Sequence, residues 1–407
     1  MMGGAEPQTE TPRSGGRGRR IAIVGAGAVG VTTAYDLARA GAEVTVYERG
    51  VVADGATGRA AGVCYDAFPT RPDATLGPTA IKRFQAFAAE GAPFRPCPYV
   101  WLAHEGDEER VRLVREGIER MQEPGRDVVE LDAAALGERF PALRTDDVAV
   151  AGVTTGAGFA DTGAYTAWLA DRARSEGVVI REEIPVELSP DPPGVVPQAG
   201  ADAGTLRETD AVVVAAGAHS KRLLADAGVS IPMKPYRVQA LVCRVHPATE
   251  RGVRSTEREN TGRWGPMWYD VSADCYARPH PAGLLAGDGT EPVEADPERY
   301  DRDANEGFAD SLAARVTHRL PGTTLDEQRA WAGLCTATPD RDPLVGELGD
   351  DVYVATGFQG QGFMRSPAIG QRLAGEILGA DGLPAFDPNR FDGDESFEVR
   401  EGMAVEG

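Results

Sequence analysis

Residues 21–48 read IAIVGAGAVGVTTAYDLARAGAEVTVYE. An apolar run, 21–24, leads into a G-x-G-x-x-G turn whose three glycines have distinct tasks. Gly25 permits the tight turn, Gly27 lets the backbone approach a pyrophosphate, and Gly30 lets the following helix close on its strand. The helix that opens at Ala28 and Val29 aims its first N–H groups at the same phosphates. Glu48 ends a second apolar strand, 18 residues beyond Gly30. A carboxylate in that place takes ribose hydroxyls, and Arg49 stands beside it. Strand, turn, helix, strand and acid in register predict a Rossmann-like α/β unit around a bound dinucleotide.

Outward from this stretch, composition narrows the setting. The 407-residue chain is long enough for two sizeable domains and carries a net charge of −21, with a pI of about 4.7. That balance argues against nucleic acid or an anionic membrane surface as a partner. Lys occurs only at 82, 221 and 234, so 39 of the 42 basic residues are Arg. An acidic, lysine-poor surface fits a protein from a halophilic, high-salt cytoplasm. Five cysteines (64, 97, 243, 275, 335) are scattered, odd in number and never in C-x-x-C spacing. They predict reduced thiols in a cytoplasmic protein, with neither a disulfide framework nor a metal site. Residues 1–19 are polar and Gly-rich and predict a disordered tail. Arg19 and Arg20 precede an apolar run in the manner of a twin-arginine signal, but cleavage near residue 40 would remove the phosphate-binding turn. No stretch is apolar enough to form a transmembrane segment.

Along the chain the nucleotide-binding pattern occurs in three pieces, 20–66, 145–230 and 331–385. A second, antiparallel-sheet domain interleaves at 67–144 and 231–330, and 386–407 is a C-terminal tail. Helices are expected over 79–90, 107–122, 132–140 and 164–175, with strands at 99–102, 127–131 and 178–181. Residues 189–205 (SPDPPGVVPQAGADAGT) read as a turn-rich surface excursion. Residues 210–217 (DAVVVAAG) form another buried strand. Val/Tyr/Trp-rich runs at 236–245, 267–271 and 275–278 predict the antiparallel sheet. Near the end, 351–356 is a strand and 357–362 a Gly-rich loop bare enough to touch a flat ring. A helix follows over 367–378, and its N-terminus suits negative charge on such a ring.

These motifs together resemble the D-amino acid oxidase/sarcosine oxidase (DAO) family of FAD-dependent oxidoreductases, over roughly residues 20–385. The motifs are the N-terminal fingerprint, the loop GATGRAAG at 55–62, AAG at 215–217, TPD at 338–340 with PLVG at 343–346, and VATGFQGQGFM at 354–364. The resemblance places Arg59, Ala60, Ala61 and Gly62 beside the flavin and Ala216 and Gly217 where the chain passes the cofactor. It places Val186 at the adenine, and Gly357, Gln359, Gly360, Gln361, Gly362, Phe363 and Met364 around the ring. Members of the sarcosine oxidase subgroup that tether their flavin use a Cys seven residues before the Asp of the TPD motif; Gly333 stands there, with Cys335 two residues away. Non-covalent FAD is therefore expected. That subgroup also carries a Lys over the flavin where Leu285 stands, which favours a dehydrogenase over an oxidase.

For the substrate, the family often holds a carboxylate with a basic side chain from the last Gly-rich motif or the central sheet. Arg365 and Arg278 are the candidates, with Tyr276 on the same strand face as Arg278. His219, His280 and Cys64 are read as structural. The resemblance implies hydride transfer to flavin N5 from a carbon bearing an amine. The implied substrate is a small amine or amino acid of the sarcosine, glycine, proline or D-amino acid type; the electron acceptor is unknown. A 2-hydroxy acid or polyol-phosphate dehydrogenase of the same fold, and a flavin subunit of an electron-transfer complex, remain alternatives.

Overall fold

The computed structural model of the chain describes residues 18–68, 73–123, 125–247 and 265–400. The strand Arg20–Val24 is buried on both faces, so its side chains are apolar without alternation. Ile21 and Ile23 face one core, and Ala22 and Val24 face another. It lies in a six-stranded sheet in the order Leu344–Gly349, Val352–Thr356, Ala211–Val214, Arg20–Val24, Glu43–Tyr47, Val179–Arg181. All neighbours are parallel except the edge hairpin of the first two. Helices Ala28–Arg39, Asp73–Ala89, Thr162–Ser175 and Gly362–Ile377 pack on one face. Ser220–Asp226 and the strand Pro193–Pro197 cover the other.

The second sheet has eight strands, in the order Thr323–Ala337, Lys234–Pro247, Gly283–Glu294, Cys275–His280, Met267–Asp270, Tyr99–His104, Val148–Thr154, Val128–Leu131. Only Met267–Asp270 beside Tyr99–His104 is a parallel pair. One face packs on the helix Phe308–Arg319 through Trp268, Cys275, Ala277 and Leu284. Part of the other face (Ala240, Val242, Leu285 and Trp331, with Tyr276) turns toward Ala61 of the nucleotide-binding unit. The strand alternation of Cys275–His280 therefore sends Tyr276 and Arg278 to that unit and Cys275 and Ala277 away from it.

Several expected boundaries move. Residues 148–154 and 331–337 belong to the eight-stranded sheet, because Val148–Thr154 pairs with Tyr99–His104 and the strand Thr323–Ala337 runs unbroken along Lys234–Pro247. Conversely, helix Asp73–Ala89 sits in the nucleotide-side core through Leu76, Ile81, Phe84 and Phe87. Residues 186–208 are not a loose excursion. They form a small antiparallel sheet of Val186–Pro190, Pro193–Pro197 and Arg207–Glu208, whose Val195 is fully buried. The tail expected at 1–19 lies outside the described residues up to 17. Arg19 is anchored by the carbonyl of Ile377 (2.5 Å) and the carboxylate of Asp351 (2.7 Å). At the other end, residues 386–400 are packed rather than free, with Phe386 and Val399 buried and Arg390 paired to Asp340 at 2.8 Å. Asp, Gly and Pro between those anchors hide them in the sequence. The last helix begins at Gly362, earlier than expected, despite Pro367. The Ser366 hydroxyl donates to the Phe363 carbonyl (2.8 Å), the group that Pro367, lacking N–H, cannot serve.

Candidate functional site

The turn after Arg20–Val24 is built as its glycines dictate. Gly25 has φ +109°, and a Cβ there would overlap the carbonyl of Ala215; a Cβ at Gly30 would overlap the carbonyl of Gly25. Both are packing requirements. Gly27 differs: its φ of −75° and ψ of 177° suit any residue, and a Cβ would meet only the Thr57 hydroxyl at 3.1 Å. Its openness serves something outside the polypeptide. The helix Ala28–Arg39 has no side-chain cap from Gly27 and no acid in its first turn. Its positive end is thus set toward an anion. Thr57 Oγ1 takes the Ala28 N–H (3.1 Å), which fixes the 55–62 loop against the turn. Glu48 Oε2 accepts from Ala26 N and Oε1 from Gly50 N, each at 2.8 Å. The carboxylate is thereby oriented with lone pairs left for ribose hydroxyls. These features fit a dinucleotide.

Ala216 and Gly217 sit beside Gly25, with Ala216 Cα 3.1 Å from the position of a Gly25 Cβ, and Thr356 Oγ1 holds the Gly217 carbonyl at 3.1 Å. Val186 packs half-buried with Ala22, Tyr47 and Ala216 at the same sheet end. Val29 packs against the nucleotide-side core. Arg49 reaches across to Glu298 (2.7 Å) and makes an exposed ion pair with the second unit. Arg59 curls onto the carbonyls of Asp54 and Gly55, while its own carbonyl accepts from Trp331 Nε1 at 3.2 Å. For Arg49 and Arg59 the structure shows these protein contacts in place of an outward-reaching side chain.

A cleft unites the next group. It is lined by Ala60, Ala61, Gly62 and Val63 from one loop, Gly360, Phe363 and Met364 from the last motif, and Tyr65, Tyr99 and Tyr276. Sequence reasoning had most of these. It missed Val63, Tyr65 and Tyr99, although the run 63–65 directly follows the Gly/Ala loop and alternates on a short strand. The rings of Tyr65 and Tyr99 stack at 5.0 Å. Burial pushes the Tyr65 hydroxyl up to about 12 and Tyr99 well above its usual value, so both stay neutral across physiological pH. Tyr276 lies across Gly287, where any Cβ would strike its ring. In the last motif Gly357 (φ +78°), Gln359 (φ +51°) and Gly360 (φ +80°) shape the loop. Gln359 is buried, and its amide nitrogen has no hydrogen-bond partner among the described residues. Such an orphan donor fits a polar group of a bound ligand. Gln361 precedes the helix and Gly362 begins it.

The two candidate arginines are both buried, and in different ways. Arg278 donates to the carbonyls of Ala61, Pro279 (2.8 Å) and Ala160 (3.4 Å), and lies over the Phe159 ring. Arg365 pairs with Asp73, while its Nε and Nη1 and the other Asp73 oxygen lack partners among the described residues. The expectation that Arg278 holds a substrate carboxylate meets a guanidinium whose three nitrogens each already donate to a backbone carbonyl. Leu285 stands in the apolar patch with Ala240, Val242 and Trp331 facing Ala61. Gly333 faces Arg59, and Cys335 packs with Tyr236, Phe397 and Val399. Cys64 is fully buried, the His280 ring accepts from Ala282 N at 3.2 Å, and His219 lies near Glu298.

The profile of the family described as FAD dependent oxidoreductase (DAO) matches residues 20–376. Among curated proteins, 4-methylaminobutanoate oxidase (formaldehyde-forming) of Paenarthrobacter nicotinovorans is 27% identical over 92% of this chain and 45% of its own length. Glycine oxidase of Geobacillus kaustophilus is also 27% identical, over 87% of this chain and 91% of the relative. The chain thus spans less than half of the first relative and nearly all of the second. The solved L-proline dehydrogenase of P. horikoshii superposes with a TM-score of 0.79 at 28% identity, covering 92% of this chain and 98% of that one.

Proposed function

The chain belongs to the DAO family of FAD-dependent oxidoreductases, and we propose that it oxidises the C–N bond of a small amine or amino acid. Bound FAD supplies the hydride acceptor at its N5. The residues that fit it are the Gly25–Gly30 turn and Glu48 for pyrophosphate and ribose, and Ala60–Gly62, Gln359 and Gly360 for the ring. The cleft that adjoins them carries the reading. Among the described residues that line it there is no His, Asp, Glu or Lys, and Tyr65 and Tyr99 are held neutral. A hydroxy acid needs a base to take its hydroxyl proton as hydride leaves, whereas an amine that enters unprotonated needs none. The tyrosines orient such an amine, and Phe363 and Met364 exclude water beside the reacting carbon. Of the two arginines, Arg365 keeps unpartnered donors, so we assign it the substrate carboxylate.

FAD is held without a covalent link, since Gly333 bears no nucleophile. No Lys stands where Leu285 packs in its apolar patch, which supports an electron acceptor other than oxygen. The acidic, lysine-poor composition supports work in a saline cytoplasm. Among the described residues no helix is long and apolar enough to cross a membrane.

The test is anaerobic mixing of the flavoprotein with N-methylated amines, glycine, proline, D-amino acids and 2-hydroxy acids, followed by the visible flavin absorbance. Bleaching by a member of the amine set alone is expected; bleaching by a hydroxy acid alone overturns the reading. Readmitting air and then an artificial dye separates oxidase from dehydrogenase.

A further inference from the structure

Among the described residues every other buried arginine has a carboxylate partner. Arg237 pairs with Glu291, Arg319 with Asp270 and Asp147, and Arg365 with Asp73. Arg278, 4% exposed, has none among the described residues and is solvated by three peptide carbonyls and the Phe159 ring. In a chain with 63 acids an available counter-ion is not scarce. A buried cation without an ion pair is costly, and Asp161 acts on it only through its field, so the site suits a negative charge that arrives with a ligand. Two of its neighbours say where. Ala61, whose carbonyl takes the Nε proton, lines the cleft, and so does Tyr276, two residues back on the strand.

We propose that Arg278 is a positioning residue for the redox step, its fixed charge favouring reduced over oxidised FAD in the cleft. A hydride brings two electrons and one proton from the substrate carbon, so the ring system gains one negative charge. A cation held in a low-dielectric interior beside the cleft lining would lower the energy of that state and leave the neutral oxidised state nearly unaffected. Burial lowers the Arg278 pKa to about 10, so the group remains protonated at pH 7. The inference rests on the family's FAD and not on the identity of the amine, because it concerns the enzyme without substrate.

The experiment is a redox titration of substrate-free holoenzyme against reference dyes, with sulfite binding in parallel, since sulfite addition also leaves negative charge on the ring. Arg278→Gln keeps donors for Ala61 and removes the charge; Arg278→Met removes both; Arg278→Lys keeps the charge and loses the fork. The neutral variants are expected to bind FAD with at least tenfold less preference for the reduced form, about 30 mV in a two-electron potential. Sulfite affinity should drop by a similar factor, while Arg278→Lys stays near the parent. Unchanged potential and sulfite affinity in Arg278→Gln overturn the proposal. So does loss of fold or flavin in both neutral variants with Arg278→Lys intact, which makes the charge a support for the loop.

Discussion

The three glycines of the first turn separate into two physical kinds, and substitution distinguishes them. At Gly27 the backbone is extended and an added side chain meets only the Thr57 hydroxyl at 3.1 Å. Gly27→Val should therefore leave the apo fold near parental stability, within the ~0.5–2 kcal/mol that loosening the Thr57 bond to Ala28 N is worth. FAD binding should suffer far more. Each charge-assisted bond from a helix N-terminal N–H to phosphate contributes about 1.5–3 kcal/mol, so losing one or two weakens binding by roughly 100-fold. At a free FAD concentration about 1,000 times the parental Kd, ligand stabilisation should fall from ~4 to ~1.4 kcal/mol, and the FAD-induced rise in Tm should shrink by several degrees. Gly25→Ala is the counterpart. Its φ of +109° and the overlap with the Ala215 carbonyl should cost the apo protein about 2–6 kcal/mol, from strain and overpacking together. The assays are flavin content after purification, FAD titration and melting of the apo forms. A Gly27→Val protein with parental Kd refutes the pyrophosphate assignment, and a Gly25→Ala apo protein that melts like the parent refutes the packing argument.

Three further outcomes are expected. Arg365→Met strands the Asp73 carboxylate, 4% exposed, in an apolar setting; chemical denaturation should show a loss of about 3–5 kcal/mol, recovered in part by Asp73→Leu in the same chain. A single variant as stable as the parent would sink that claim. Asp147, half-shielded, is held at about 2 because Arg319 and His318, each 2.8 Å away, outweigh the burial that alone would raise it. Its folded value lies below its unfolded one, so its contribution is present above pH ~3.8 and fades as pH falls toward 2. Asp147→Asn should thus cost about 1–2 kcal/mol at pH 7 and about half of that at pH 3; an equal gap at both pH values contradicts the assignment. Denaturation and precipitation should release the flavin into the supernatant, and colour remaining on the polypeptide, at Cys335 or elsewhere, would show a covalent link.

The nucleotide-binding unit was legible because its chemistry is local. Strand, turn, helix and acid lie within 28 consecutive residues, and their spacing can be read without knowing what packs around them. The cleft-lining Ala60–Gly62, Phe363 and Met364 were placed by the resemblance of their motifs to the family's, and Gly360 also by a loop bare enough to touch a flat ring. Boundaries failed where pairing is long-range. Nothing within 148–154 says that this apolar run joins Tyr99–His104 rather than the parallel sheet, since a buried strand looks alike in both. The packed residues 386–400 were hidden in the same way, because three widely spaced side chains hold them down amid acidic, glycine-rich sequence.

The arginines mark the limit most clearly. Two residues of identical chemistry, each a step away from a cleft-lining residue, were expected to act alike. Their difference is set by what arrives from elsewhere in the chain. Helix Asp73–Ala89 brings Asp73 to Arg365, whereas Arg278 receives only the carbonyls of Ala61, Ala160 and its own neighbour Pro279. The same positive charge is ion-paired at one site and, at the other, has no ion pair among the described residues and feels only the field of Asp161. An unpaired charge projects its field into the cleft, while a paired one acts through the geometry of its donors. Arg365 is thus suited to recognise a shape and Arg278 to favour a charge. The two proposed roles separate in experiment, since a potential measured without substrate tests Arg278, and discrimination between substrates with and without a carboxylate tests Arg365.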